Sequence, residues 1–477
     1  MHVTLRRMRS ASIVRRDFIR SLSTGILGLG LSECLAREAM AAPTRAGARA
    51  RNVLVIYEEG GISQMDSFDP KPEAPIDHRS PFAPMATSVP GIHYSSLLPQ
   101  TARHADKLAV VRSMTSPSAD HMQGCKEFLT GYPFSSPVKF PDIGAVVDHS
   151  LGSECRELPG YVFCPGANMP NHVTTTGFLG QHHRPWRLGT RSLGENLAEP
   201  GWRVKSLEPR QELSPARMLE RQALLRELDP ATIGQHANSP LAAYRDRAFQ
   251  LLASPKVQQT FDFHQESAKT LDRYGRDHRG LCYLLGRRLI EAGVRFVTVT
   301  VIQPPDLLGR PNYGMPKGVF LNWDHHEGIY RNGPFGGPQG MSNQERYGLP
   351  HPVMMPSLDR SFSALLEDMH ERGLLAETLL CFVTEMGRTP RLNKWQGRDH
   401  WGRALSIAFA GAGVRGGQVI GATDVMGGDV RDGRYTPADY AETIYRKLGI
   451  DTDRRLEKAD GTPVPFTPGG VPIRELF

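Results

Sequence analysis

The chain has 477 residues, 39% of them hydrophobic, with 57 Lys and Arg against 50 Asp and Glu and a net charge of +7. The basic excess is uneven: residues 1–42 hold seven arginines and three acids, so the remainder carries about +3, without the basic footprint of a nucleic-acid binder. After residue 42 no segment is apolar enough to cross a membrane, and no CxxC or CxxCH spacing marks a redox centre among the six cysteines.

Residues 1–42 read as an export signal. Arg15-Arg16-Asp17-Phe18-Ile19-Arg20 precedes a short apolar stretch, Ser21 to Leu31, and then Ala39-Met40-Ala41, a small-x-small cleavage site. The arginine pair points to the twin-arginine translocon, which carries folded proteins, and so to a periplasmic or otherwise exported product. The mature domain is expected over residues 43–477.

Strand and helix signals then alternate. Val53-Leu54-Val55-Ile56-Tyr57 is a continuous apolar run, as in a strand buried on both faces, and Leu108-Ala109-Val110-Val111 repeats it. Residues 150–275 have few strand runs, many loops and two charged helices near 214–228 and 240–253, and read as a helical and loop insertion. Within them Cys155 and Cys164 are close enough in sequence to pair in an oxidising compartment. A helix from Gly280 to Ala292 is followed by the strand Phe296–Val301. A second helix with Leu358, Phe362, Leu365, Leu366 and Met369 on one stripe precedes the strand Leu379–Val383. Leu405 to Ala410 is a further strand, and Thr436-Pro437-Ala438-Asp439 caps a final helix reaching Leu448. The expected fold is α/β, a mostly parallel sheet with helices on both faces.

In such a sheet ligands bind beyond the carboxyl ends of the strands. The residues there include Glu58, Glu59, Gly60 and Gly61; Asp120 and His121; Asp324-His325-His326; and Glu385, Arg388, Asp399 and His400. Asp324 and His326, two apart in a loop, suit one divalent ion, with Glu385 and His400 arriving from later crossings. Histidine and carboxylate donors without thiolates suit zinc, manganese or iron. Arg388 and Arg398 either bind an anionic substrate group in bidentate fashion or neutralise the acids around them. His182-His183 lies in the expected insertion. Gly411-Ala412-Gly413-Val414-Arg415-Gly416-Gly417 lacks the Lys-Ser/Thr of a phosphate loop and reads as a tight turn.

From Asn52 onward the chain resembles the exported family known as domain of unknown function 1501. The resemblance rests on Gly60-Gly61-x-Ser63-Gln64-x-Asp66-Ser67-Phe68-Asp69-Pro70, Trp323-Asp324-x-His326, Glu385-x-Gly387-Arg388-Thr389-Pro390 and Gly397-Arg398-Asp399-His400-Trp401. That family is similar in turn to the alkaline phosphatase and sulfatase superfamily. The similarity implies a metal-binding acid at Glu58 or Glu59, a nucleophile slot at His121, a middle pair formed by Asp324 or Asn322 with His326, an Asp-His-Gly equivalent at Glu385-Met386-Gly387, and a late His400. Two departures stand out: Met386 replaces a metal-binding histidine, and His121 replaces the usual hydroxyl nucleophile. The implied activity is hydrolysis of a small anionic phosphate or sulfate ester by one divalent metal, with His121, Glu385 and Arg388 catalytic and Glu59, Asp324, His326, Glu385 and His400 as ligands. Its alternative is a phosphatase-like binding or assembly protein of the cell envelope that has lost the reaction.

Overall fold

The computed structural model describes residues 50–477 apart from 156, 165–173, 189–195, 205–206, 208–216, 218–219, 222, 225–247, 250, 253, 302–321, 333 and 336–345. Eight strands form the central sheet: β1 (Asn52–Glu58), β2 (Ala109–Met114), β3 (Tyr161–Cys164), β4 (Trp186–Arg187), β5 (Phe296–Val301), β6 (Thr378–Val383), β7 (Leu405–Ala410) and β8 (Gln418–Ile420). Their spatial order is β8-β2-β7-β6-β1-β5-β3-β4. Among the described residues β7 alone runs against its neighbours β6 and β2, and the other pairings in the sheet are parallel.

The apolar runs expected as strands are the sheet's centre because both faces are covered. Successive side chains of a strand point to opposite faces. Leu54 and Ile56 pack with Leu281, Leu284 and Leu285 of helix α5 (His278–Glu291) and with Phe362 and Leu366 of α6 (Met355–Glu371). Val53, Val55 and Tyr57 pack on the other face with Phe128 of α1 (His121–Thr130), Val146 of α2 (Ile143–Leu151) and Ile444 of α7 (Pro437–Lys447). Local signals set the helix starts. Asp277 caps α5 by accepting from Gly280 N–H at 2.9 Å, and Thr436 with Asp439 closes a capping box around Pro437. Two further helices, α3 (Pro255–Phe261) and α4 (Ala268–Tyr274), lie before α5 in the chain.

Two expectations change. The stretch read as an insertion contributes β3 and β4 to the main sheet, β3 pairing in parallel with β5 from Tyr161↔Phe296 to Cys164↔Val299. The charged helices near 214–228 and 240–253 lie largely outside the described residues. Cys155 and Cys164 are free and buried rather than paired. Cys164 is on β3, inside the core, and the Cys155 thiol donates to Glu157 Oε2 at 3.2 Å. Among the described residues no helix is long and apolar enough to cross a membrane.

Glu58, the last residue of β1, is fully buried. Its carboxylate accepts from Arg279 Nε (3.1 Å), Tyr283 Oη (2.7 Å) and Trp323 Nε1 (2.6 Å). Of the two acids placed at the first ligand position, this one is therefore a structural anchor that ties β1 to α5 and to the loop carrying Asp324. Replacing Glu58 with Ala leaves a buried guanidinium uncompensated and is expected to destabilise the fold by about 3–5 kcal/mol, read by denaturant unfolding at pH 7. A loss below about 1 kcal/mol would remove this anchoring role.

Candidate metal centre

The candidate site lies beyond the carboxyl ends of β1, β2 and β6 and is completed by the loop holding Asp324. After β1 the chain turns at Gly60, whose φ of +113° suits glycine; a Cβ there would run into the backbone nitrogens of Trp323 and Asp324. That close approach seats Asp324 over the strand end. After β2, Asp120 caps α1 by accepting from Gln123 N–H at 3.0 Å, which makes His121 the first residue of the helix. After β6 comes Glu385, and then a short antiparallel ribbon in which Arg388 faces His400.

Three imidazoles converge on one carboxylate oxygen. Asp324 Oδ1 lies 3.0 Å from His400 Nε2, 3.0 Å from His326 Nε2 and 3.3 Å from His121 Nε2. His326 Nε2 and His400 Nε2 are themselves 3.0 Å apart. Each ring has its other nitrogen beside an oxygen: His121 Nδ1 with Glu385 Oε1, His326 Nδ1 with Asp399 Oδ1 and His400 Nδ1 with the carbonyl of Ala119, all at 2.8 Å. A proton on each Nδ1 makes these three hydrogen bonds and leaves the Nε2 lone pairs aimed at a shared point, the arrangement in which histidines hold metals. His121 Nε2 is buried and has no hydrogen-bond partner of good geometry. Donor atoms of His121, Asp324 and His400 all lie within 4.8 Å of one another, so these residues fit a divalent ion of the zinc, manganese or iron type.

The electrostatics are set by the acids. Burial opposes a charge on His121, but its contacts with Asp324 and Glu385 and their negative charges outweigh that and push its pKa up to about 10. Burial also opposes charge on Asp324, yet the three histidines and the Arg388 guanidinium hold its carboxyl far below the usual carboxylate range.

The residues singled out from the sequence divide into two groups. Asp324, His326, His400 and His121 meet at the centre, His121 as a candidate ligand in the slot read as that of the nucleophile. Glu385, read as ligand or base, is fully buried, and its Oε1 also accepts from Gly60 N–H at 2.8 Å, so it orients His121 from behind. Glu59 falls outside the donor group: its backbone carbonyl accepts from Trp323 N–H at 3.1 Å, and its charge acts on buried Tyr57 and Cys125. Arg388 is enclosed by the fold. It donates to Gly61 O (2.9 Å), Arg398 O (3.1 Å), Gly60 O and Asp324 Oδ1 (2.8 Å), and is buried. Arg398 is likewise enclosed, held by Asp66 Oδ2 at 3.1 Å, the Tyr330 hydroxyl and backbone carbonyls. Neutralisation of nearby acids is the reading that both geometries favour. His183 Nδ1 pairs with Asp148 Oδ2 at 2.8 Å, in a separate group with His149.

Sequence reasoning did not foresee Asp399 as the partner of His326, or the Ala119 carbonyl as that of His400. The Asp399-His400 dipeptide was a partial signal: the acid serves a histidine other than its chain neighbour. Asn393 steadies Asp399 by donating to Oδ1 at 3.0 Å and to the His326 carbonyl at 2.9 Å.

The profile of a family described as "Protein of unknown function (DUF1501)" matches residues 50–477. Solved structures similar to the chain include the sulfatase PsFucS1 from Pseudoalteromonas sp. (14% identity over 88% of this chain and 71% of that one, TM-score 0.37). The phosphonate monoester hydrolase of Agrobacterium radiobacter is another (13% identity, 89% and 78%, TM-score 0.35). A third is a protein in the alkaline phosphatase superfamily from Vibrio parahaemolyticus (10% identity, 88% and 75%, TM-score 0.31). No curated protein matches the chain.

Because the His121 pKa stands near 10, a metal ion entering at neutral pH must displace its proton. Zinc affinity is therefore expected to rise about tenfold per pH unit between pH 6 and 8, measured by competition with a chromophoric chelator. A pH-independent affinity would place His121 outside the ligand set.

Proposed function

The chain belongs to the DUF1501 family, and we propose that this member is an exported, metal-dependent hydrolase of phosphate or sulfate esters. The observation carrying this reading is the convergence of three Nδ1-anchored imidazoles on Asp324. His121, Asp324 and His400 would hold the ion, with His326 beside them, and Glu385, Asp399 and the Ala119 carbonyl fix the rings. A bound divalent ion would supply the positive charge that acidifies water toward neutrality and stabilises developing charge on phosphoryl or sulfuryl oxygens. Arg388 supports the site by clamping Asp324 against the Gly60-Gly61 turn. The twin-arginine signal in residues 1–42 supports delivery of the folded chain, loaded with metal, to the periplasm or beyond.

A second reading is a phosphatase-like binding or assembly protein of the cell envelope. It is favoured by two features of the centre. Arg388 is enclosed, and Met386, where the related pattern has a metal-binding histidine, is fully buried.

Elemental analysis of the mature protein separates the two. About one equivalent of zinc, manganese or iron is expected, lost in Asp324→Ala and His400→Ala variants of confirmed fold. Turnover of 4-nitrophenyl phosphate or 4-nitrophenyl sulfate should disappear with the metal. A folded protein that neither carries these ions nor takes them up on incubation would sink the hydrolase reading and leave the scaffold. Asp399→Asn is expected to weaken metal affinity about 10- to 100-fold by loosening His326; unchanged affinity would exclude His326 from the centre.

A further inference from the structure

A cleft of about 510 Å³ is lined by residues of the 70–84 segment with Tyr330 and Leu392, and nothing in the ester-hydrolase reading uses it. Its walls are apolar: Pro70, Pro72 and Pro81, with Phe82 set edge-on to Tyr330 at 5.8 Å between ring centroids. Ile76, also in its lining, is 79% exposed. Two cations line it. Lys71 is neutralised by Asp69, 3.0 Å away. Arg79 is different: it is exposed, and among the described residues its guanidinium has no ion-pair or hydrogen-bond partner. A pocket of this size with apolar walls and a single unpaired guanidinium has the composition of a small-ligand site, in which the walls supply affinity and the polar group orientation.

The cleft and the metal centre share one loop. Leu392 lines the cleft, while the next residue, Asn393, holds both Asp399 and the His326 carbonyl. Tyr330 lines the cleft and accepts from Arg398 Nε at 3.1 Å, one residue before Asp399.

We propose that this cleft binds an apolar anion, an aryl or alkyl body carrying one negative charge, with the body against Pro81, Phe82 and Tyr330 and the charge on Arg79. The site stands independently of hydrolysis at the metal centre.

The test is calorimetric titration of the metal-loaded protein with 2-naphthalenesulfonate, which offers no ester to hydrolyse, and with the neutral 2-naphthalenemethanol. The sulfonate is expected to bind one to one and at least about fivefold more tightly than the alcohol. Arg79→Gln, a change at an exposed side chain, should abolish that preference while leaving the weaker binding of the alcohol and the metal content unchanged. Ile76→Asp should weaken both ligands. Absence of saturable binding, or a charge preference that survives Arg79→Gln, would overturn the proposal. Metal content and ester turnover, followed in the same samples, keep failure of this site distinct from failure of the hydrolase reading.

Discussion

The site is organised around one carboxylate oxygen, Asp324 Oδ1, which faces the Arg388 guanidinium and three imidazole nitrogens within 3.3 Å. That density of donors is maintained because the fold fixes each of them independently. Arg388 is gripped by the carbonyls of Gly60, Gly61 and Arg398, so it cannot withdraw. Gln64 adds a second grip, exchanging hydrogen bonds of 2.9 and 3.0 Å with the Arg388 backbone. Trp323, the residue before Asp324, is tied through Glu58 to the end of β1. Loosening any of these ties displaces Asp324 and with it the shared focus of the imidazoles.

The histidines illustrate how much of the work lies one contact away from the centre. A lone imidazole on a loop can rotate and can carry its proton on either nitrogen. Here an oxygen acceptor opposite each Nδ1 selects orientation and tautomer together. The acceptors differ in kind: a fully buried carboxylate for His121, a half-exposed one for His326 and a backbone carbonyl for His400. The three rings address one point, and the carboxylates of Asp324 and Glu385 raise the affinity of His121 for a proton despite its burial.

The sheet was legible because its central strands are buried on both faces and so read as unbroken apolar runs, with their ends at Gly60-Gly61 and Gly411. β3 was not: its four residues, Tyr161–Cys164, offer too short a run to separate from the loops around it. α1 was missed as well, since His121–Thr130 carries a glycine and several polar residues, and only Cys125, Phe128 and Leu129 face the core among its apolar positions. That Asp324, His326 and His400 come together was legible from their place beyond the strand ends. The role of Arg388 was not. A sequence shows a charged residue near acids, but whether its guanidinium is open to a ligand or enclosed by backbone carbonyls depends on how close two turns approach. The same limit applies to Glu385, whose Oε1 is held between the Gly60 N–H and the His121 imidazole by turns far apart in the chain.

Charge balance explains why the centre suits a cation. Asp324, Glu385 and Asp399 surround the imidazoles, while Arg388 is the guanidinium in contact with Asp324. Without a metal ion, part of this negative excess is met by holding a proton on His121, which is why its pKa is driven upward against its burial. A divalent ion at the same focus would meet the excess more fully and release that proton. Proton and metal would thus compete for one electrostatic vacancy, while the groups that crowd the carboxylate at its middle keep it ionised. The arginines divide by the same logic: Arg388 and Arg398 are enclosed and engaged by the acids and carbonyls around them, whereas Arg79, which lines the cleft with Phe82 and Tyr330, is exposed.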